Sequence, residues 1–285
     1  MTRPTRSSGF ISPCRPPPGF AQAVPMTHLF DPVARRLRRD RAAVHGSDRF
    51  LERRAMDDML DRIAMVSRQF DRALLVGALD HEAVDRLRSV VGILDVVDFS
   101  AEAAQRSGGE QQDEAWIDGE PGSYDLVVAA GTLATVDKPG DVLLRLRFLL
   151  RPDGLMIGYV PGGNLLPRLA AAMRAADASA ASHSPHVHPR LDPAGLAALL
   201  SGAGFVMPVV DVDRLTLGYA SLSDLVRDLR AHGATNVLAA RSLAYIGKAR
   251  AAEAAVAFMQ GANDGRVQEI VEILHFSGWS PHESR

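Results

Sequence analysis

Three groups of residues in this chain have the types and spacing to do chemistry. His183, His186 and His188 sit close together, with Asp192 near them; imidazoles so spaced could ligate zinc or iron. A polar surface loop ordered by its prolines is the simpler account, and we expect no metal. Asp211 and Asp213 alternate on a predicted strand and so project from the same face. They could pair as acid and base, hold a cationic guanidinium, or form a solvated edge. With His186 and Tyr219 they make up the catalytic candidates, and Tyr219 could equally be ordinary packing. The third group lies in loops that follow apolar runs. Gly77 ends Ala73-Leu74-Leu75-Val76, and Asp98 comes near the end of Ile93-Leu94-Asp95-Val96-Val97. Asp98 could accept hydrogen bonds from a ligand or cap the helix that follows.

The elements that would position these residues can be read from periodicity. Helices are predicted over 31–45, where five arginines suggest a solvated face, and over 50–66, with Met56, Met59, Leu60 and Ile63 at helical spacing. Short apolar runs at 73–77, 93–99, 124–130 and 155–160 read as strands, and Trp116-Ile117 as a weak one. Helices are expected between them at 81–90 and 138–150, with a polar loop at 105–114 and a turn at Arg151-Pro152-Asp153-Gly154. Further on, helices are predicted over 164–181, 192–203 and 221–232, with a strand over 205–213. From 236 the chain is expected to be helical over 250–260 and then irregular. Strands alternating with helices imply an α/β fold with a mostly parallel, twisted sheet covered on both faces. In such sheets a ligand belongs beyond the carboxyl ends of the strands.

Composition limits the function classes. The chain has 285 residues, 47% hydrophobic and 23% charged, enough to bury a large core. A net charge of -2 gives no basic footprint for nucleic acid, and no apolar run approaches the length that spans a bilayer. The single cysteine, Cys14, precludes an internal disulfide and fits a reducing, cytoplasmic location. Residues 1–25 carry six prolines and three arginines and no acid; we expect a disordered tail ahead of one domain over 26–285, with a helical lead-in and C-terminal cap segments.

Tyr124-Asp125-Leu126-Val127-Val128, followed by Leu149-Leu150-Arg151-Pro152-Asp153-Gly154-Leu155, resembles the class I S-adenosylmethionine-dependent methyltransferases, whose fold is Rossmann-like. Gly162-Gly163-Asn164, Ser184-Pro185-His186-Val187-His188-Pro189, Ala203-Gly204-Phe205, Asp211-Val212-Asp213, Asp228-Leu229-Arg230 and Gly278-Trp279 are similar to one branch. That branch is the mitochondrial complex I assembly factors with arginine hydroxylase activity and their alphaproteobacterial relatives. The biotin-synthesis methyltransferases acting on malonyl-carrier protein are more distantly similar. The resemblance implies S-adenosylmethionine as cofactor, with Gly77 in its loop, Asp98 on the ribose, Trp116, Ile117 and Asp118 beside adenine, and Ala130 at the end of the fourth strand. It departs in the glycine loop. Where the family has Asp-Xaa-Gly-Xaa-Gly-Xaa-Gly, this chain has Leu75-Val76-Gly77-Ala78-Leu79-Asp80-His81. Side chains at 79 and 81 oppose the close approach that glycine allows, and Leu75 offers nothing to an ammonium group.

Two functions follow. One is a transferase-type enzyme modifying a protein side chain such as arginine, in respiratory complex I assembly. The other is a non-catalytic assembly or chaperone protein on the same fold, with weak or no cofactor binding. Either takes a protein as its partner.

Overall fold

The computed structural model describes residues 28–45, 48–77, 79–178 and 184–282; the tail at 1–25 and His183 fall outside them. Two helices lead in, α1 (Pro32–His45) and α2 (Phe50–Met65). The alternating core follows: β1 (Arg72–Val76), α3 (His81–Arg88), β2 (Ile93–Asp98), α4 (Ala101–Arg106), β3 (Glu110–Gln111), β4 (Tyr124–Ala130), α5 (Pro139–Leu149) and β5 (Leu150–Pro161). The last third adds α6 (Pro167–Asp177), α7 (Pro193–Gly202), β6 (Val206–Tyr219), α8 (Leu222–Ala231), α9 (Lys248–Met259) and β7 (Val267–Trp279).

The strands form one sheet in the order β3-β2-β1-β4-β5-β7-β6. β1 to β5 pair in parallel, and β7 runs antiparallel to both β5 and β6. Every residue of β4 is buried, as expected for a strand with helices on both faces. Alternate residues feed opposite cores. Leu75, Leu126, Val128 and Ile157 pack with α2 and α3, whereas Leu74, Val76, Val127 and Met156 pack with α5 and α7.

Several predicted elements take a different form. Trp116-Ile117 is not a strand: Glu114–Trp116 is a 3-10 turn, and the loop predicted over 105–114 contains β3. Arg151 to Gly154 lies within β5 as an irregularity in its pairing with β4, with Asp153 at φ 60°. β6 continues to Tyr219. The segment expected to be irregular after 260 contains β7, thirteen residues long and central to the sheet's second half. Its polar residues concealed it. Glu269 is fully buried and accepts hydrogen bonds from Arg168 N and Leu169 N at the start of α6. Glu272 accepts from Asn164 N and from Arg214 Nε.

Candidate functional site

The sheet order reverses between β1 and β4, so the loops after β1, β2 and β4 are where this architecture binds ligands. Gly77 ends β1 at φ 94°, and a Cβ there would come within 2.6 Å of Ala130 O and Thr132 Cγ2. This glycine is therefore required by the close passage of β1 against β4, with or without a ligand. Leu75 is buried in the core. Leu79 is buried as well, in a small cluster with Ala42 and Ala43 of α1 and Ala103 of α4. Asp80 caps α3 by accepting Glu82 N at 3.1 Å. Helix α1 thus lies across the loop that the family uses for its cofactor.

The same helix engages the acids. Asp98 has a side chain with no exposed surface. Arg39 grips it with both ends of its guanidinium: Nε donates to Oδ1 and Oδ2 at 3.0 Å each, and Nη2 to Oδ2 at 2.7 Å. Ser100 N donates to Oδ1 at 2.9 Å, and the Ser100 hydroxyl, in turn, caps α4. One turn earlier Arg35 makes a second fork. Its Nη1 and Nη2 donate to Glu114 at 3.0 and 2.6 Å, its Nε to Thr135 Oγ1 at 2.8 Å, and Nη2 also to Thr132 O. The Arg35 guanidinium stacks 3.5 Å above the Phe99 ring centroid. Burial opposes the charge on Arg39, but the Asp98 charge and hydrogen bonds outweigh it and hold its pKa above the usual arginine value.

The arginines predicted to be a solvated face are therefore divided. Arg35 and Arg39, four apart and on one face of α1, turn inward. They carry the site's charge, and sequence reasoning missed them together with Glu114. A usable signal existed: two cations spaced one turn apart, ahead of a buried acid in need of a partner.

These residues do not fit S-adenosylmethionine. Its ribose hydroxyls would need the Asp98 oxygens that Arg39 holds. Its ammonium would face Leu75, and its backbone approach is taken by Leu79 beneath α1. The residues expected beside adenine diverge too. Trp116 is 80% exposed, Ile117 is in the core, and Asp118 is at the surface, its N–H bonded to Gln112. Ala130 is buried and borders the cavity described next.

A cavity of about 350 Å³ opens beside Arg35, Arg39 and Phe99 and runs between α2, α6 and α8. Tyr219, His186 and His188 line it, along with Tyr159, Glu52 and His232, which the sequence did not single out. His186 Nε2 pairs with Asp177 Oδ2 at 2.8 Å, and the other Asp177 oxygen binds Arg250. His188 Nε2 accepts Val237 N at 3.0 Å; burial, then Arg38 and Arg190, push its pKa down to about 4. Among the described residues no group of three or more His, Cys, Asp or Glu is placed to hold a metal. Burial and Asp228 raise the Tyr219 phenol.

Asp211 and Asp213 lie elsewhere, on the outer face of β6 under α2. Arg62 Nη1 donates to Asp211 at 2.6 Å and Arg54 Nε to Asp213 at 2.7 Å. The guanidiniums they hold belong to this chain. The structure thus gathers His186 and Tyr219 at one cavity, sets Asp98 at its edge under Arg39, and leaves Asp211 and Asp213 outside.

Comparison with known proteins agrees with this architecture. A family model described as a methyltransferase domain matches residues 28–208. The mitochondrial arginine-hydroxylase NDUFAF5 of Danio rerio is 29% identical over 235 residues, 79% of this chain and 73% of the relative. The malonyl-[acyl-carrier protein] O-methyltransferase of Laribacter hongkongensis is 31% identical over 160 residues, 56% of this chain and 52% of the relative. The N-methyltransferase NodS of Bradyrhizobium japonicum, solved with S-adenosylhomocysteine, shares the fold with a TM-score of 0.50 at 13% identity, over 87% of this chain and 100% of that one.

Proposed function

The chain belongs to the class I methyltransferase family, and from that premise we propose that it serves as an assembly or chaperone protein whose cofactor place is filled from within by α1. The observation that carries this reading is the fork of Arg39 on Asp98. A buried acid already matched by its own cation has no oxygen to offer a ribose without breaking a costly pair. Leu79 under Ala42 and Ala43 supports the same conclusion from the loop side.

The partner we propose is a protein subunit of respiratory complex I, in keeping with the arginine-hydroxylase relatives. The test is co-purification with such a subunit. Asp98→Asn removes the acid that a cofactor would need, and the association should survive it. Loss of the association in a folded Asp98→Asn protein would overturn this reading.

A second reading is favoured by the activities for which the relatives are named. α1 would lift away, Asp98 would take up S-adenosylmethionine, and a protein arginine would be modified. It requires the chain to bind that cofactor at micromolar or lower concentration, which the first reading excludes.

A further inference from the structure

Trp116, which the family resemblance placed beside adenine, is 80% exposed, yet the turn that carries it is fixed on both sides. Ahead of it, Asp113 Oδ1 accepts Ala115 N at 3.0 Å, and Glu114 is buried under the Arg35 fork. After it, Ile117 is buried in the core, and Asp118 N donates to Gln112 Oε1 at 2.8 Å. Arg145 of α5 completes the clamp: its Nε donates to Ile117 O at 2.7 Å and its Nη2 to Gly119 O at 3.3 Å. A large side chain displayed on a turn already held in place loses little further freedom on meeting a partner.

Its surroundings are apolar as well. The Arg145 guanidinium lies 4.9 Å from the Phe148 ring centroid, so it bridges the turn and that ring. Leu144 sits one turn before Phe148 on the same face of α5. These two side chains are 51% and 45% exposed. Single exposed leucines are ordinary on a protein surface. Two aromatic side chains with a leucine beside them, rimmed by polar groups, mark an interaction surface. Tryptophan is among the residue types that most often anchor such contacts.

The rim selects the partner. Asp113, Asp118 and Glu120 are exposed around the turn, and Asp141 stands in the first turn of α5. Among the described residues the carboxylates of Asp118 and Glu120 meet no cation. The two cations nearby are committed, Arg145 to backbone carbonyls and Lys138 to Asp141 at 3.9 Å. An acidic partner would be repelled here, and a second copy would bring the same acidic rim against this one. A polypeptide presenting arginines would find carboxylates for its charge and the Trp116 ring for its guanidinium plane.

We propose that Trp116, Leu144 and Phe148 form a docking surface for an arginine-bearing, apolar segment of another protein. It rests on the reading above only in taking a protein as partner.

The probe is a labelled octapeptide of alternating arginine and leucine, titrated with the full-length protein and followed by fluorescence anisotropy. Saturable binding that weakens as salt rises is expected. Trp116→Ala should weaken it about tenfold and leave the melting temperature unchanged, because the side chain it removes is exposed. Asp118→Asn combined with Glu120→Gln should weaken it less and flatten the salt dependence. Absence of saturable binding would overturn the proposal, as would equal binding of the glutamate–leucine counterpart or indifference to Trp116→Ala. So would a dimer in sedimentation that Trp116→Ala abolishes, since a second copy would then cover this face. Peptide binding without co-purification of a complex I subunit would keep this surface and sink the partner proposed above. Co-purification untouched by Trp116→Ala would sink this surface and keep that partner.

Discussion

Arginines from the two leading helices meet carboxylates of the α/β core in two places, and the environments differ in almost every respect. At the end of the sheet, Arg35 and Arg39 of α1 fork onto Glu114 and Asp98, whose side chains are 1% and 0% exposed. On the outer face of β6, Arg54 and Arg62 of α2 meet Asp213 and Asp211, which are 26% and 51% exposed. The chemistry is the same but the energetics are not. In water an ion pair contributes little, because solvation competes with it. In the interior each charge depends on the other, and removing one partner leaves the survivor desolvated. The first pair therefore locks α1 over the ligand-binding end of the sheet, whereas the second only decorates a surface. From sequence Asp98 and the Asp211 and Asp213 pair were both candidates, and the arginines of α1 looked solvated. Burial alone separates a latch from an ornament.

The comparison can be broken most forcefully at Arg39. Arg39→Ala should destabilise the protein by about 3–5 kcal/mol in a denaturant titration; a loss under about 1 kcal/mol would place the pair with the surface class. The double replacement Arg39→Met with Asp98→Leu removes both charges at similar volume and should recover most of that loss. Failure to recover would mean that the carboxylate has another structural duty beyond its hydrogen bond with Ser100.

The seat of α1 should also respond to pH. Phe30, just ahead of α1, packs edge-on against His188 at 5.4 Å, and Asp31 N donates to Val237 O. Val237 N needs the unprotonated His188 Nε2. With the pKa pushed down to about 4, the unfolded chain binds the proton more readily than the folded one. The contribution of His188, at most about 3 kcal/mol, is thus complete above pH 6.5 and lost as pH falls towards 4. His188→Gln should flatten that part of the stability profile. The smallest effect is expected on β6, where Asp213→Asn should cost under about 1 kcal/mol and less still in high salt.

Much of the fold was legible because its signals are local. The runs at β1, β2, β4 and β5 are continuous and apolar, and each helix between them has one apolar face. What remained hidden depends on partners far along the chain. β7 looked irregular because Glu269, Glu272 and His275 interrupt it, yet the two glutamates cap backbone donors around α6 and take Arg214. Arg35 and Arg39 looked solvated because five arginines on one helix normally are; only the acids about sixty and eighty positions later turn two of them inward. Glu52 and His232 lie 180 positions apart, and no spacing rule joins them. The loss of glycines after β1 was visible, but not that α1 would fill the space they would have left.

The central claim is that Asp98 and the loop after β1 are taken by α1. Calorimetric titration of S-adenosylmethionine into the wild-type protein examines it directly. No heat beyond dilution is expected, even at ligand concentrations well above those that saturate ordinary family members. A saturable isotherm with micromolar or tighter affinity would show that α1 yields its place, and would contradict the account.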